Sequence, residues 1–133
     1  MGFLLASAAA AAATFNLVCS GTITTDSLYE HGATKPYRYT YRIDLDKKKF
    51  CEERCIAIRD IYEVQPGFLK LDEPRNIDTI SEKRFSDGSI DRESGRQTIL
   101  MTSGRRADIL IMKWEGQCER QPFTGFPTLT TKF

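Results

Sequence analysis

The sequence predicts an all-β protein that folds as a single small antiparallel barrel, or a sandwich, of seven to eight strands. Apolar and polar residues alternate with a period of two in several segments, glycine-containing turns recur between them, and no long segment after Ala13 carries the apolar stripe of a helix. The region from Cys51 to Ile61 is the one place where a short helical turn is expected. With 133 residues, the chain has the length of one domain.

Residues 1–13 are predicted to be a secretory leader, and residues 14–133 a single β domain. The leader has an apolar Phe-Leu-Leu segment followed by alanines that end in Ala11-Ala12-Ala13, a small-residue pattern typical of signal cleavage. It is too short to cross a bilayer, which takes about 20 apolar residues. No Lys or Arg precedes Lys35, so either the positive region of the signal is missing or the true start lies upstream. An alanine-rich helix is the alternative. We expect a periplasmic or secreted protein that does not span the membrane.

The four cysteines predict a disulfide framework, because an even number in a short exported chain favours disulfides over free thiols. Sequence alone allows three pairings. We favour Cys51 with Cys55, which a single turn brings within bridging range, and Cys19 with Cys118, which would tie the first strand to the last. That second bond favours a barrel over a sandwich. Zinc binding is the minor alternative, because two Cys-x-x-Cys pairs are missing. Lipidation of Cys19 is rejected because Val18 is larger than the residue that normally precedes a lipidated cysteine.

The clearest strands are the first two of the β domain. From Phe15 to Ile23, mostly apolar residues at odd positions alternate with Asn, Ser and Thr. From Tyr37 to Leu45, three tyrosines, an isoleucine and a leucine face one way, whereas Arg, Thr and Asp face the other. A helix cannot satisfy a period of two, so both segments are predicted to be strands with one buried face.

The later strands are predicted to be short and joined by tight turns. The run from Ile109 to Met112 is apolar on both faces, so we expect the barrel interior to cover one side and a terminal segment to cover the other. That segment, residues 121–127, contains two prolines and is expected to lie across the barrel surface with Phe123 and Phe126 buried. The predicted turns are at Pro66-Gly67, Asp87-Gly88, Ser94-Gly95 and Ser103-Gly104.

Composition and motifs exclude several classes of function. The net charge of +1 gives no electrostatic basis for nucleic-acid binding. His31 is the single histidine, which excludes histidine-rich metal sites, and no Gly-x-Ser-x-Gly elbow is present for hydrolysis. Asp44 and Asp46 fit a charge-balanced outer face, and residues 87–93 lack the ligand spacing of a calcium loop. We therefore predict a protein that is not an enzyme and that holds no metal or cofactor.

Tyr37, Tyr39 and Tyr41 are the first candidate binding residues. They lie on one face of the second strand, where tyrosines would offer a ligand both apolar rings and hydroxyl groups. The favoured alternative is core packing, because side chains usually fill the interior of a barrel this small.

Ser103, Arg105 and Arg106 are the second candidates. Arginines at a glycine turn are often only solvated, but guanidinium groups there can also bind the carboxylates of an acidic cleft. The segment 103–106, with Lys113-Trp114-Glu115-Gly116 after it, resembles periplasmic lysozyme inhibitors. Those are disulfide-containing β-barrels with a Ser-Gly-x-Arg-Tyr loop and a Lys-Gly or aromatic-Gly element on the next strand. The resemblance covers about a tenth of the chain and departs at Ala107, where the inhibitors have tyrosine.

A broader resemblance spans most of the mature chain. The patterns Phe-x-Leu-x-Cys-Ser-Gly from Phe15, Arg-Ile-Asp-Leu-Asp from Arg42, Gly-x-Cys from Gly116 and Pro-Phe-x-Gly-x-Pro from Pro122 resemble small exported β-barrel proteins of Gram-negative bacteria. The resemblance implies export and fold, but no activity. We expect a monomeric, non-enzymatic binding domain of the cell envelope whose partner is a protein or a small ligand. The alternative is a periplasmic inhibitor of a lysozyme-like glycosidase that acts through residues 103–106.

Overall fold

The computed structural model describes residues 12–105 and 107–128. Within these ranges the chain forms ten β-strands and no helix, and all the strands belong to one antiparallel sheet. Residues 1–11 of the predicted leader and Arg106 of the candidate loop lie outside the described residues. The strands are β1 (Thr14–Asp26), β2 (Ala33–Asp44), β3 (Lys49–Glu52), β4 (Arg59–Asp60), β5 (Glu63–Val64), β6 (Phe68–Lys70), β7 (Arg75–Asp78), β8 (Lys83–Asp91), β9 (Arg96–Arg105) and β10 (Asp108–Gln121).

The first and last strands lie side by side, as the cysteines predicted. The strand order is β4-β3-β2-β1-β10-β9-β8-β6-β5, and β7 pairs with β8 beside this row. The register runs from Asn16 opposite Gln121 to Asp26 opposite Ile111. The prediction of seven to eight strands is wrong, because several connections that the sequence suggested were loops contain short strands of their own.

The sheet curls into a half-barrel, which the side-chain contacts between β2 and β9 demonstrate. β2 and β9 are separated by β1 and β10. In a flat sheet they would lie about 14 Å apart, at roughly 4.8 Å per strand. Yet the Tyr37 hydroxyl on β2 donates a hydrogen bond to Gln97 Oε1 on β9 over 2.9 Å. Gln97 also donates to the Tyr41 hydroxyl over 3.0 Å, although Tyr41 lies four residues further along β2. A flat sheet would hold these two side chains beyond each other's reach, so the concave face is strongly bent.

The two strands at the ends of the strand order, β4 and β5, follow each other in one short segment, residues 59–64. The Ile61 amide donates to the Lys48 carbonyl over 2.9 Å, on the side of β3. The next amide, that of Tyr62, donates to the Leu71 carbonyl over 3.1 Å, on the side of β6. Because the halves of this segment follow different neighbours, it connects the edges of the sheet without a full ladder between them.

The hydrophobic core fills one end of the half-barrel. We call this end the base; it is where β1 begins and where β3 and β6 join the sheet. The opposite end, where β1 ends and β9 turns into β10, is called the mouth. Ile43 and Phe50 face each other across β2 and β3 and are completely buried. The other core residues are Phe15, Leu17, Cys19, Tyr41, Ile61, Leu69, Leu71, Ile90 and Cys118.

Both predicted disulfides are present. Cys19 and Cys118 are directly opposite each other on β1 and β10, with a Cα–Cα distance of 3.9 Å, and they bridge 99 residues of chain. Cys51 and Cys55 are bonded across a separation of four residues. Two buried disulfides indicate an oxidising compartment.

The expected helical turn between Cys51 and Ile61 does not form. Glu53 and Cys55 have φ angles of +52° and +55°, which lie in the left-handed region and cannot continue a right-handed helix. The segment is instead a tight turn between β3 and β4, closed by its disulfide.

The predicted turn at Asp87-Gly88 is also wrong, because both residues lie inside β8. Asp87 forms an ion pair with Lys70 at 2.8 Å. Gly88 faces Ile99 on β9, and a Cβ at residue 88 would come within 2.9 Å of the Ile99 side chain. The glycine therefore makes room for a neighbour's packing rather than for a turn. The turns at Pro66-Gly67 and Ser94-Gly95 form as predicted.

The described part of the C-terminal tail lies on the outer face of β1 and β2. The Asn16 side chain donates to Thr124 Oγ1 over 3.0 Å, and Arg42 donates to the Gly125 carbonyl over 2.9 Å. Phe123 and Phe126 form an edge-to-face pair and are half-buried rather than buried.

The tail was expected to cover the apolar run at 109–112, and its described part does not. The tail contacts Asn16, near the base, whereas the run begins at the mouth. Ile111 keeps 41% of its surface exposed. Across residues 12–105 and 107–128 there is no helix of the length and apolarity that a membrane crossing requires.

Candidate functional site

The concave face is organised around a row of four residues that crosses the sheet. Tyr37, Gly21, Gly116 and Gln97 stand opposite one another on β2, β1, β10 and β9. Because the two middle positions are glycines, no side chain covers the backbone there, and the Tyr37 ring lies across both strands. A Cβ on Gly116 would clash with the Tyr37 hydroxyl oxygen and would lie 2.5 Å from the Ser20 carbonyl oxygen. Gly116 is therefore required for this packing, whereas a Cβ on Gly21 would clash with the β10 backbone at Glu115 and Gly116.

Gln97 links two buried tyrosines across the half-barrel. Its Oε1 accepts from the Tyr37 hydroxyl over 2.9 Å, and its Nε2 donates to the Tyr41 hydroxyl over 3.0 Å. The amide is 2% exposed, so these bonds satisfy a polar group that would otherwise be costly to bury. Burial raises the pKa of Tyr41 well above its usual value and raises that of Tyr37 as well. A tyrosine hydroxyl is already neutral at physiological pH, and the raised pKa values keep both groups protonated in more alkaline solution.

Trp114 continues the aromatic cluster toward the mouth. Its ring stacks on Tyr39, with centroids 5.5 Å apart and planes inclined by 25°, and it lies 5.1 Å from the Tyr37 ring. Trp114 is only half-buried, yet its indole Nε1 is shielded from solvent and has no acceptor among the described residues. An unsatisfied buried donor costs about 1–3 kcal/mol. This is the one such side-chain atom in residues 12–105 and 107–128.

The sheet is open around Trp114. β3 pairs with β2 only from Tyr41 to Asp44, so residues 33–39 of β2 form an edge in the described structure. On the opposite side β7 is the edge, because it pairs with β8 alone. The concave face of this half is therefore exposed to solvent between two free edges. We call it the mouth cleft and define it by the strand register as the concave-face residues of this half: Ile23, Tyr39, Ile99, Met101, Met112 and Trp114. Ile23 is buried, whereas Met101 is 39% exposed.

The predicted tyrosine row is divided between core and cleft. Tyr41 and Tyr37 are 5% and 8% exposed, and both are used in the Gln97 network. Tyr39 is half-buried and faces Trp114. The structure thus places two of the three tyrosines where core packing explains them and one where a ligand could reach it.

The predicted arginine loop lies apart from the tyrosines. Ser103 and Arg105 are exposed near the turn between β9 and β10. The predicted turn at Ser103-Gly104 is wrong, because both residues lie inside β9, where Gly104 has a φ of +140°. Arg105 on β9 and Asp108 on β10 are opposite each other in the backbone register of the hairpin.

Other polar groups have structural roles. Asp44 Oδ1 accepts from the Lys47 amide over 3.0 Å and so stabilises the turn after β2, whereas Asp46 is exposed. His31 is exposed in the β1–β2 turn. In the described part of the chain, no group of three His, Cys, Asp or Glu side chains could hold a metal ion.

Sequence reasoning missed Trp114 and Gln97. A signal for Trp114 existed, because Met112, Trp114, Gly116 and Cys118 alternate with polar residues and share a face with the predicted disulfide. Gln97 had no such signal, since an amide on a strand is ordinarily solvent-facing.

Known proteins add no constraint to the function of this site. No protein-family model, no curated protein and no solved structure matches the chain. The function must therefore be inferred from the geometry of the concave face and of the loops around it.

Proposed function

We propose that this protein is a non-enzymatic binding domain of the periplasm or the extracellular space, and that it takes a small, flat, largely apolar ligand in the mouth cleft. The ligand would stack on the exposed side of the Tyr39–Trp114 pair. Ile23, Ile99, Met101 and Met112 would surround it, and a thioether side chain adapts readily to an irregular apolar surface.

Trp114 is the observation that carries this proposal. Aromatic rings that are half-exposed on a concave face present a large area for stacking, worth about 0.5–1.5 kcal/mol beyond burial. The indole Nε1 is shielded from solvent, so the ligand contact offered by Trp114 is the half-exposed face of its ring. A concave, mostly apolar lining is the usual character of a small-molecule site.

The base half is less suited to carry a ligand inside the sheet. The cavity between Tyr41, Leu71, Gly88 and Ile99 has a volume of only about 50 Å³. Ligand pockets are ordinarily several hundred Å³. The interior there is occupied by the core and by the Gln97 network, which favours the mouth half as the site.

The test uses the neutral planar probe N-phenyl-1-naphthylamine. We expect saturable binding, seen as increased probe fluorescence and as a shift of the single indole N–H resonance, since Trp114 is the only tryptophan. Tyr39→Leu should weaken the affinity about threefold to tenfold, because one stacking partner is lost.

Tyr62→Leu is the matched control, because Tyr62 is 52% exposed and lies outside the cleft. It should bind the probe like the unaltered protein. Thermal unfolding of each variant verifies that Tyr39→Leu is folded at the temperature of the assay. Equal affinity of folded Tyr39→Leu, or an indole resonance that does not move at saturating probe, would contradict the proposal.

A second candidate is inhibition of a lysozyme-like glycosidase through the β9–β10 loop. The observation in its favour is the exposure of Ser103 and Arg105 at the end of this hairpin, on the side that β1 leaves free beyond Ile111, whereas β8 flanks β9 as far as Gly104. An exposed guanidinium at the end of a hairpin is suited to a cleft whose catalytic groups are carboxylates.

Titration against hen egg-white lysozyme tests this candidate. Stoichiometric loss of lysozyme activity is expected, with Arg105→Gln requiring at least tenfold more protein for the same loss, because a charge-assisted bond is removed. Arg38→Gln, an exposed arginine on β2, should inhibit normally. Full lysozyme activity at a large excess of the unaltered protein would exclude this function for that enzyme.

A further inference from the structure

A second depression lies at the base, at the opposite end of the half-barrel from Trp114. Its volume is about 480 Å³, within the range of small-ligand pockets. The floor is apolar and consists of Phe15, Leu17, Leu69 and Ile90, which come from β1, β6 and β8. These side chains also belong to the hydrophobic core, so the depression opens directly onto well-packed, rigid residues.

Two arginines stand at the rim of this depression. The Arg120 guanidinium lies over the Phe15 ring, with its central carbon 4.2 Å from the ring centroid, so a cation–π contact holds it beside the apolar floor. Arg92 donates to the Gln65 carbonyl over 2.7 Å. No ion pair in residues 12–105 and 107–128 involves either guanidinium.

Two acidic residues at the rim, Asp91 and Glu93, balance the formal charge of the arginines, but among the described residues neither forms an ion pair with them. Asp91 Oδ1 accepts from the backbone amides of Ser94 and Glu93 over 2.8 and 2.9 Å, and these bonds hold the pKa of the Asp91 carboxyl below its usual range. That carboxylate is therefore committed to the turn. Glu93 is exposed on the same turn. Arg120 donates to the Ala12 carbonyl over 2.8 Å, so each guanidinium already has one backbone acceptor. An anion that enters the depression would bind through their remaining donors, which have no carboxylate partner among the described residues.

We propose that the base depression binds an amphipathic carboxylate of the long-chain fatty-acid type. The alkyl chain would cover the apolar floor, and the carboxylate would accept from Arg120, with Arg92 adding positive charge. An apolar floor beside guanidinium groups matches both parts of such a molecule. This site shares no residue with the mouth cleft, and its ligand is charged where the ligand proposed for the cleft is neutral.

Titration of the full chain with dodecanoate tests the proposal by ¹H–¹⁵N NMR. We expect saturable shifts of the Phe15, Ile90 and Gly95 amides, with the Trp114 indole resonance unmoved. Arg120→Gln should weaken dodecanoate binding about fivefold, a modest factor because Arg120 is exposed and water screens its charge. Dodecanol, which has the same chain and no charge, should bind equally to both proteins.

Arg38→Gln is the matched control for charge, because Arg38 is exposed on the outer face of β2. It should leave dodecanoate binding unchanged. Unaltered affinity in Arg120→Gln, or the absence of saturable shifts at the base, would overturn the proposal. Dodecanoate shifts centred on the Trp114 indole would also overturn it and would place the fatty chain in the mouth cleft instead. Binding of the neutral naphthylamine probe is measured separately, so either site can fail without the other.

Discussion

Replacement of Cys19 and Cys118 together by alanine is expected to lower the free energy of unfolding by about 4–5 kcal/mol. The bond closes a loop of 99 residues, and in the chain-entropy view a loop of about 100 residues contributes roughly 4.7 kcal/mol by restricting the unfolded chain. Cys19 is also completely buried, so the smaller side chain leaves a void in the core. Stabilities of small domains are of the same order as this loss, so the variant should be partly unfolded at 37 °C.

The matched comparison is the Cys51→Ala and Cys55→Ala double variant. Its loop has a sequence separation of four, and the same relation gives roughly 2 kcal/mol. Urea unfolding of the three proteins, followed by Trp114 fluorescence, measures both differences. Equal losses for the two double variants would show that loop length does not govern the contribution of these disulfides.

Gly116→Ala is expected to have the second-largest effect, a destabilisation of about 3 kcal/mol. A methyl group at residue 116 would overlap the Tyr37 hydroxyl and lie 2.5 Å from the Ser20 carbonyl oxygen, which belongs to the backbone of β1 and cannot move aside freely. Overpacking of this kind costs about 1–3 kcal/mol. Displacement of Tyr37 would also break its bond to Gln97 and leave the buried amide short of one partner, which adds about 1–3 kcal/mol.

Gly67→Ala is the control, because a Cβ at residue 67 has no atom within 4 Å. Its unfolding free energy should change by less than about 0.5 kcal/mol or increase slightly. The near-ultraviolet circular dichroism of the tyrosines provides an independent readout, since Gly116→Ala should alter it even where the protein remains folded. A Gly116→Ala protein as stable as Gly67→Ala, with an unchanged tyrosine spectrum, would refute the packing of Tyr37 over β10.

Local alternation and turn chemistry predicted the elements that depend on neighbouring residues. The strand from Tyr37 to Leu45 was recognisable because its buried face repeats at every second residue, and β2 occupies Ala33–Asp44. The turn at Ser94-Gly95 was recognisable because glycine tolerates positive φ angles that few other residues adopt. In the structure Gly95 has a φ of +77°. The pairing of Cys19 with Cys118 followed from the number and placement of the cysteines, and it correctly placed the first strand beside the last.

The errors arose where the local conformation is determined by contacts or backbone angles that local propensity does not indicate. Gly88 was assigned to a turn, but it accommodates Ile99 on the neighbouring strand. The segment after Cys51 was assigned to a helical turn, but its disulfide and two positive φ angles bend it between β3 and β4. At Gly88 local preference was overridden by a contact that is distant in sequence, whereas after Cys51 it was overridden by left-handed backbone angles beside a short-range disulfide.

The sequence by itself determined the all-β class, the two disulfides and the strands that flank them, because these follow from side-chain period and cysteine chemistry along the chain. Tertiary structure alone decided the candidate sites. The curl of the sheet brings Tyr37 to Gln97 across two glycines and leaves Trp114 in an open cleft, while the base gathers Phe15 and Arg120 beside Ile90. Curvature is a sum of small twists over many strands, so it is a property of the whole sheet and of no single segment.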